Sequence, residues 1–140
     1  MKKAFTLIEL IIVVVVIGIL AIIAYPIYIT AKERALDKEA IANLKLIQKA
    51  EGFFKMDNAA YYPTTGGSDA CITTIDQNLK LDIPKGTGRS WNYTVTNSSS
   101  TGANTTRSND PNSRSWKFNY TSTDEPTCVN GTGAGIKCPY

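Results

Sequence analysis

Residues 5–31 read FTLIELIIVVVVIGILAIIAYPIYITA, an apolar run whose one charged residue is Glu9. As a helix rising ~1.5 Å per residue, this stretch is about 40 Å long. That exceeds the ~30 Å of bilayer hydrocarbon, so it can span a membrane. Lys2 and Lys3 precede it, which sets the N-terminus on the cytoplasmic side and the rest of the chain outside. A secretory signal would carry a small-residue cleavage site after the apolar run. Tyr25, Pro26 and a charged segment follow instead, so the run is expected to stay with the chain.

Glu9 does not suit a plain anchor. A carboxylate among hydrocarbon is costly and is normally paired. Two sources of a cation are open: Lys2 and Lys3 reached by snorkelling, or a group on another chain. Gly18 and Pro26 punctuate the helix. Pro26 cannot donate to the Ile22 carbonyl and its ring crowds that turn, so a kink or local loss of helix is expected there.

From Ile27 the pattern turns amphipathic. Leu36, Ala40, Leu44, Ile47, Ala50 and Phe54 recur every three or four residues and define one face. Charged residues, among them Asp37, Lys38, Glu39, Lys45 and Lys49, are expected largely off that face, and Glu51 with Lys55 forms an i,i+4 pair. One continuous helix from about Phe5 to Phe54 is expected. Its apolar stripe needs a cover, which the polar C-terminal half must supply.

Residues 57–90 carry the breakers Pro63, Gly66, Gly67, Pro84, Gly86 and Gly88, with a short helical turn near Thr74–Leu81. Two strands stand out, Trp91-Tyr93-Val95 and Trp116-Phe118-Tyr120, each alternating with polar neighbours. Their aromatic face is the natural cover for the stripe. Asn97–Arg114 reads as an exposed, mobile Ser/Thr/Asn-rich loop, and a short edge strand is placed near Ile136. The fold class is α+β: a long N-terminal helix on a small antiparallel sheet. The divisions expected are 1–4, a basic leader; 5–31, the spanning helix; 32–56, its amphipathic continuation; and 57–140, a β-rich head.

At 140 residues the chain has room for one domain, and its net charge of +3 includes Lys2 and Lys3. The near-neutral body gives no nucleic-acid surface, although Arg89, Arg107, Arg114 and Lys117 could gather locally. There is no His, and no nucleophile–base–orienter set is visible, so neither an enzyme nor a cofactor is expected. Asp124 and Glu125 lack the clustered ligands of a hard-cation loop, so no metal is expected. Cys71, Cys128 and Cys138 allow one intramolecular bridge outside the cytoplasm. Cys128–Cys138 is the shortest closure and is preferred, leaving Cys71 unassigned.

The run Ala4-Phe5-Thr6-Leu7-Ile8-Glu9-Leu10, followed by Gly18 and Pro26 in an apolar helix, resembles the N-terminus of type IV prepilins and type II secretion pseudopilins. The match covers roughly Lys2 to Tyr28. The resemblance implies cleavage between Ala4 and Phe5 by a prepilin peptidase on the cytoplasmic face, and N-methylation of the new Phe5 amine. Ala4 stands where the family usually has Gly. It further implies that Glu9 pairs with the Phe5 amine of a neighbouring subunit, and that the helix loosens between Gly18 and Pro26 on leaving the membrane. The implied function is a structural subunit of a type IV pilus, a homo-oligomeric filament. The alternatives are a type II secretion pseudopilin, or a minor pilin for adhesion or DNA uptake. The implied partners are the peptidase, an inner-membrane assembly platform and its ATPase machinery, with a route from the bacterial inner membrane to a surface filament.

Overall fold

The apolar run and the amphipathic stripe fold as one helix. In the computed structural model, which describes residues 5–63, 65–66, 69–97, 102–108, 114–131 and 138, helix α1 runs Leu7–Asn58 over 52 residues. It continues through Pro26 without loss of helix, and the Thr30 hydroxyl donates to the Pro26 carbonyl at 3.0 Å. At its C-terminus the Asn58 side-chain amide donates to the Phe54 carbonyl at 3.0 Å, satisfying one of the orphan acceptors of the last turn. Ala59 then turns the chain away with φ 58°.

The chain divides into two compact units, Met1–Ala35 and Leu36–Tyr140. In the first, the apolar side chains from Phe5 to Ile29 are exposed, up to 76% at Ile22. The second unit holds every buried core residue among those described. After α1 come β1 (Thr65–Gly66), α2 (Asp69–Leu79), β2 (Trp91–Val95), β3 (Ala103–Arg107), β4 (Ser115–Phe118) and β5 (Thr127–Val129). The five strands form an antiparallel sheet in sequence order, each beside the next. Trp91 pairs with Arg107, Tyr93 with Thr105, Thr105 with Trp116, and Trp116 with Cys128.

The alternation read from the sequence places Trp91, Tyr93 and Val95, and Trp116, Phe118 and Tyr120, in the core with Ala40, Leu44 and Ile47 of α1. Ile72, Ile75 and Leu79 add one face of α2. Polar ties also fix the head on the helix. The Trp91 indole donates to the Leu36 carbonyl at 2.8 Å, the Asn43 amide to the Tyr93 hydroxyl at 2.8 Å, and the Gln48 amide to the Ser122 carbonyl at 2.8 Å.

The structure corrects four expectations. The buried positions of α1 are Asp37, Ala40, Leu44, Ile47 and Glu51, so two acids lie on the apolar stripe while Leu36, Ala50 and Phe54 flank it. Glu51 makes no ion pair with Lys55, whose ammonium lies 4.4 Å from the Tyr61 ring centroid and donates to that hydroxyl at 3.3 Å. The segment expected as a loop over 97–114 contains β3, whose inward residues are small or hydroxylic: Ala103 and Thr105 are fully buried, and the Thr105 hydroxyl donates to the Asn92 carbonyl at 2.8 Å. The helical turn placed at Thr74–Leu81 is a full helix beginning at Asp69.

The strand placed near Ile136 falls outside the described residues; the edge strand observed is β5. Cys128 in β5 is bonded to Cys138, ten residues on. Closing a loop of that length stabilises the fold by about 3 kcal/mol through the unfolded chain. Cys71 lies on α2, and its side chain is outside the described ones.

Candidate functional site

The start of α1 gathers the residues expected to act in assembly. Thr6 and Glu9 are three apart, and their side chains close on each other. The Thr6 N–H donates to Glu9 Oε2 at 2.9 Å, the Thr6 hydroxyl donates to the same oxygen at 2.6 Å, and the Glu9 N–H donates to Thr6 Oγ1 at 3.3 Å. This is a capping box: Thr6 caps the helix and Glu9, in its first turn, reaches back to the cap residue. A carboxylate in the first turn also meets the positive end of the helix dipole. Glu9 therefore has local donors in the single chain, although no countercharge comes with them. Lys2, Lys3 and Ala4 lie outside the described residues.

Thr6 is the partner of Glu9 that the reading of Glu9 alone missed. Its signal was present in Thr6-Leu7-Ile8-Glu9, a Ser/Thr-x-x-Glu pattern directly before an apolar run. The box fixes where the helix begins, and so how Phe5, 75% exposed, stands one residue ahead of it. Both Phe5 and the Glu9 carboxylate are open to a partner.

Gly18 sits mid-helix with nothing within 4 Å of where a Cβ would stand. Packing within the subunit therefore does not require glycine there. Beyond the first turns, α1 has a stretch long and apolar enough to cross a membrane, and none of it is buried against the chain.

The other charged candidates are engaged within the head. Arg114 is buried, its Nε donating to Asp37 Oδ1 at 2.6 Å, which removes it from any surface patch. Arg107 lies over the Trp91 ring at 5.2 Å, and Arg89 donates to the Asn92 side-chain carbonyl at 2.8 Å. Asp124 accepts from the Ser122 hydroxyl at 2.9 Å, and Glu125 pairs with Lys45 at 2.6 Å.

Residues 1–25 match a family model described as the prokaryotic N-terminal methylation motif. The type II secretion system core protein G of Vibrio cholerae is 36% identical over 72 residues, which are 51% of this chain and 49% of that protein. The protein of the same name from Pseudomonas aeruginosa is 37% identical over 71 residues, 51% of this chain and 50% of its own. That from Escherichia coli is 36% identical over 64 residues, 46% and 43%. The chain thus spans about half the length of the curated relatives it matches. No solved structure matches it. Residues 1–25 thus carry the prokaryotic N-terminal methylation motif, and over about half its length the chain is similar to type II secretion system core protein G.

Proposed function

We propose that this chain is a structural pseudopilin of a type II secretion system, polymerising through its apolar N-terminal helix into a fibre of the cell envelope. The methylation motif suits a pilus subunit equally well. Similarity to core protein G from several bacteria supports the secretion reading over the pilus reading. The observation that carries polymerisation is the bare apolar surface from Phe5 to Ile29, which no described residue of the chain covers. Lipid covers it first, with residues 5–31 spanning the inner membrane. Neighbouring helices cover it afterwards.

In this mechanism residues 1–4 are the leader, removed between Ala4 and Phe5 by a prepilin peptidase. The new Phe5 amine is methylated and supplies the positive charge that the Thr6–Glu9 box lacks. A carboxylate already held by Thr6 is presented in a fixed direction, so the incoming amine meets an oriented partner. Loosening between Gly18 and Pro26 lets the helix adapt on entering the fibre. Residues 32–56 carry the head, 57–140, on the outer surface. An inner-membrane platform and its ATPase supply the work of extraction.

The test is Glu9→Ala in the native host. The variant is expected to remain in the membrane at the normal level while fibre formation and export of type II cargo fall at least tenfold. Normal export and normal fibres from that variant would refute the mechanism. A chromosomal deletion separates the two pathways: loss of cargo export with surface pili intact supports the secretion reading, and the reverse overturns it.

A further inference from the structure

Among the described residues three acids are buried in the head, and two have cations. Asp37 pairs with Arg114 at 2.6 Å and Asp76 with Lys85 at 2.6 Å. Glu51 is fully buried on the stripe of α1 and has no basic partner among the described residues. Its Oε2 accepts the Tyr62 N–H at 2.9 Å, and its Oε1 has no hydrogen-bond partner. The groups facing it come from three places. From the connector after α1 come Tyr61 and Tyr62, the latter with its hydroxyl accepting from the Asn78 amide at 3.1 Å. From beyond β4 comes Tyr120, stacked on Tyr61 at 4.6 Å between centroids. From its own helix the cation one turn on, Lys55, is turned to the Tyr61 ring.

We propose that Glu51 is a proton-operated latch. With its proton on, it holds the connector at Tyr62 and the Tyr120 corner against α1; with the proton off, it releases them. The physical reason is the missing cation. A neutral carboxyl accepts the Tyr62 N–H on Oε2 and carries no charge that must be hydrated. A carboxylate leaves a charge on a buried carboxyl whose Oε1 has no donor among the described residues, and opening the connector is the route to hydration. The connector has reason to move, because Ala59 sits at φ 58°, a left-handed conformation that a non-glycine residue holds only under constraint. Burial, the largest influence, raises the Glu51 carboxyl above its ordinary value of 4.5, with the Tyr62 amide and the Tyr120 hydroxyl pulling weakly the other way. Burial likewise raises the Tyr120 hydroxyl, so it stays a neutral donor.

The sign follows from proton counting. Between the ordinary value and the raised one, the folded head binds more protons than the unfolded chain, so stability falls as pH rises through that window. This is opposite to a carboxylate paired with a cation.

The test uses the full chain in detergent micelles, with unfolding of the head followed by Trp91 and Trp116 fluorescence from about pH 4.5 to 8. The wild type is expected to lose melting temperature as pH rises, with protection of the Tyr62 amide against hydrogen exchange falling about tenfold relative to a core amide such as Tyr93. Glu51→Gln, neutral at every pH, is expected to flatten both curves and to melt above the wild type at the alkaline end. Equal slopes in wild type and Glu51→Gln overturn the proposal. Should the variant fail to fold, carbon-13 titration of the Glu51 carboxyl in the wild type decides: a midpoint above the ordinary value supports the latch, and one at or below it overturns it.

Discussion

At Gly102 the backbone takes φ 62°, and a Cβ there would stand 1.8 Å from the Phe118 carbonyl oxygen and 2.8 Å from the Asn119 Cα. Both are backbone atoms of the neighbouring chain segment, so no side chain can swing aside. A left-handed alanine costs about 1–2 kcal/mol, and forcing the segments apart adds about 1–3 kcal/mol. Gly102→Ala is therefore expected to destabilise the head by about 3 kcal/mol, a fall of at least ~12 °C in melting temperature at the usual ~4–8 °C per kcal/mol. A thermal melt of the full chain in detergent checks it, and a change under ~4 °C would contradict the close approach of β3 to β4. The neighbouring Thr96 hydroxyl donates to the Gly102 carbonyl at 2.7 Å, so the same residue is held from both sides.

At the scale of elements, the Asp37–Arg114 pair ties α1 to the start of β4. Asp37 Oδ1 accepts from Arg114 Nε at 2.6 Å and from the Trp116 indole at 3.2 Å, and Arg114 lies 5.7 Å from the Trp91 ring centroid. Both partners are buried, so removing one strands the other. Asp37→Leu alone is expected to cost about 3–5 kcal/mol, whereas Asp37→Leu with Arg114→Met should recover all but about 1 kcal/mol, the remainder coming from the unpaired Trp116 indole. Urea unfolding of the singles and the double measures the coupling, and additive losses would mean the pair does not act as a unit. This pair also explains what the sequence could and could not convey. Apolar spacing along Ala40, Leu44 and Ile47 was enough to read α1 and the middle of its buried face, and alternating aromatics were enough for β2 and β4. Asp37 looks like any solvated helix acid until Arg114, 77 positions away, is folded beside it. Strand β3 was hidden for a different reason: its two inward residues are Ala103 and Thr105, which carry no apolar alternation, and its outward ones match the composition of a loop. Thr6 was legible through the Thr-x-x-Glu spacing; attention to the charge of Glu9 obscured the hydrogen bonds that the same four residues offer.

For the molecule as a whole, the division at Ala35 separates two solvents' worth of chemistry. Every buried residue lies at Asp37 or beyond, and the apolar side chains before Ala31 contribute nothing to that core. The head should therefore fold without the apolar run before it, provided that the helix entering it is properly started. Leu36 supplies the carbonyl that receives the Trp91 indole, so it must remain helical. A chain beginning at Lys32 leaves one turn ahead of Leu36 to absorb end fraying, whereas one beginning at Leu36 would place the frayed turn on Asp37 itself. The remaining helix, to Asn58, is long enough to be held by packing on the sheet, although alone in water it would be marginal. The 32–140 fragment is expected to be soluble without detergent, to melt within about 4 °C of the full chain, and to keep the Cys128–Cys138 bond. It should be unable to enter fibres made by the full-length protein, since it lacks Phe5, Glu9 and the apolar surface. Detergent-free gel filtration, a melt, and co-assembly with full-length subunits read the three outcomes separately. A fragment that melts as expected yet still co-assembles would move the polymerising surface from the first unit to the second. One that is unfolded would show that the run before Lys32 stabilises the head by a route its exposed side chains do not reveal.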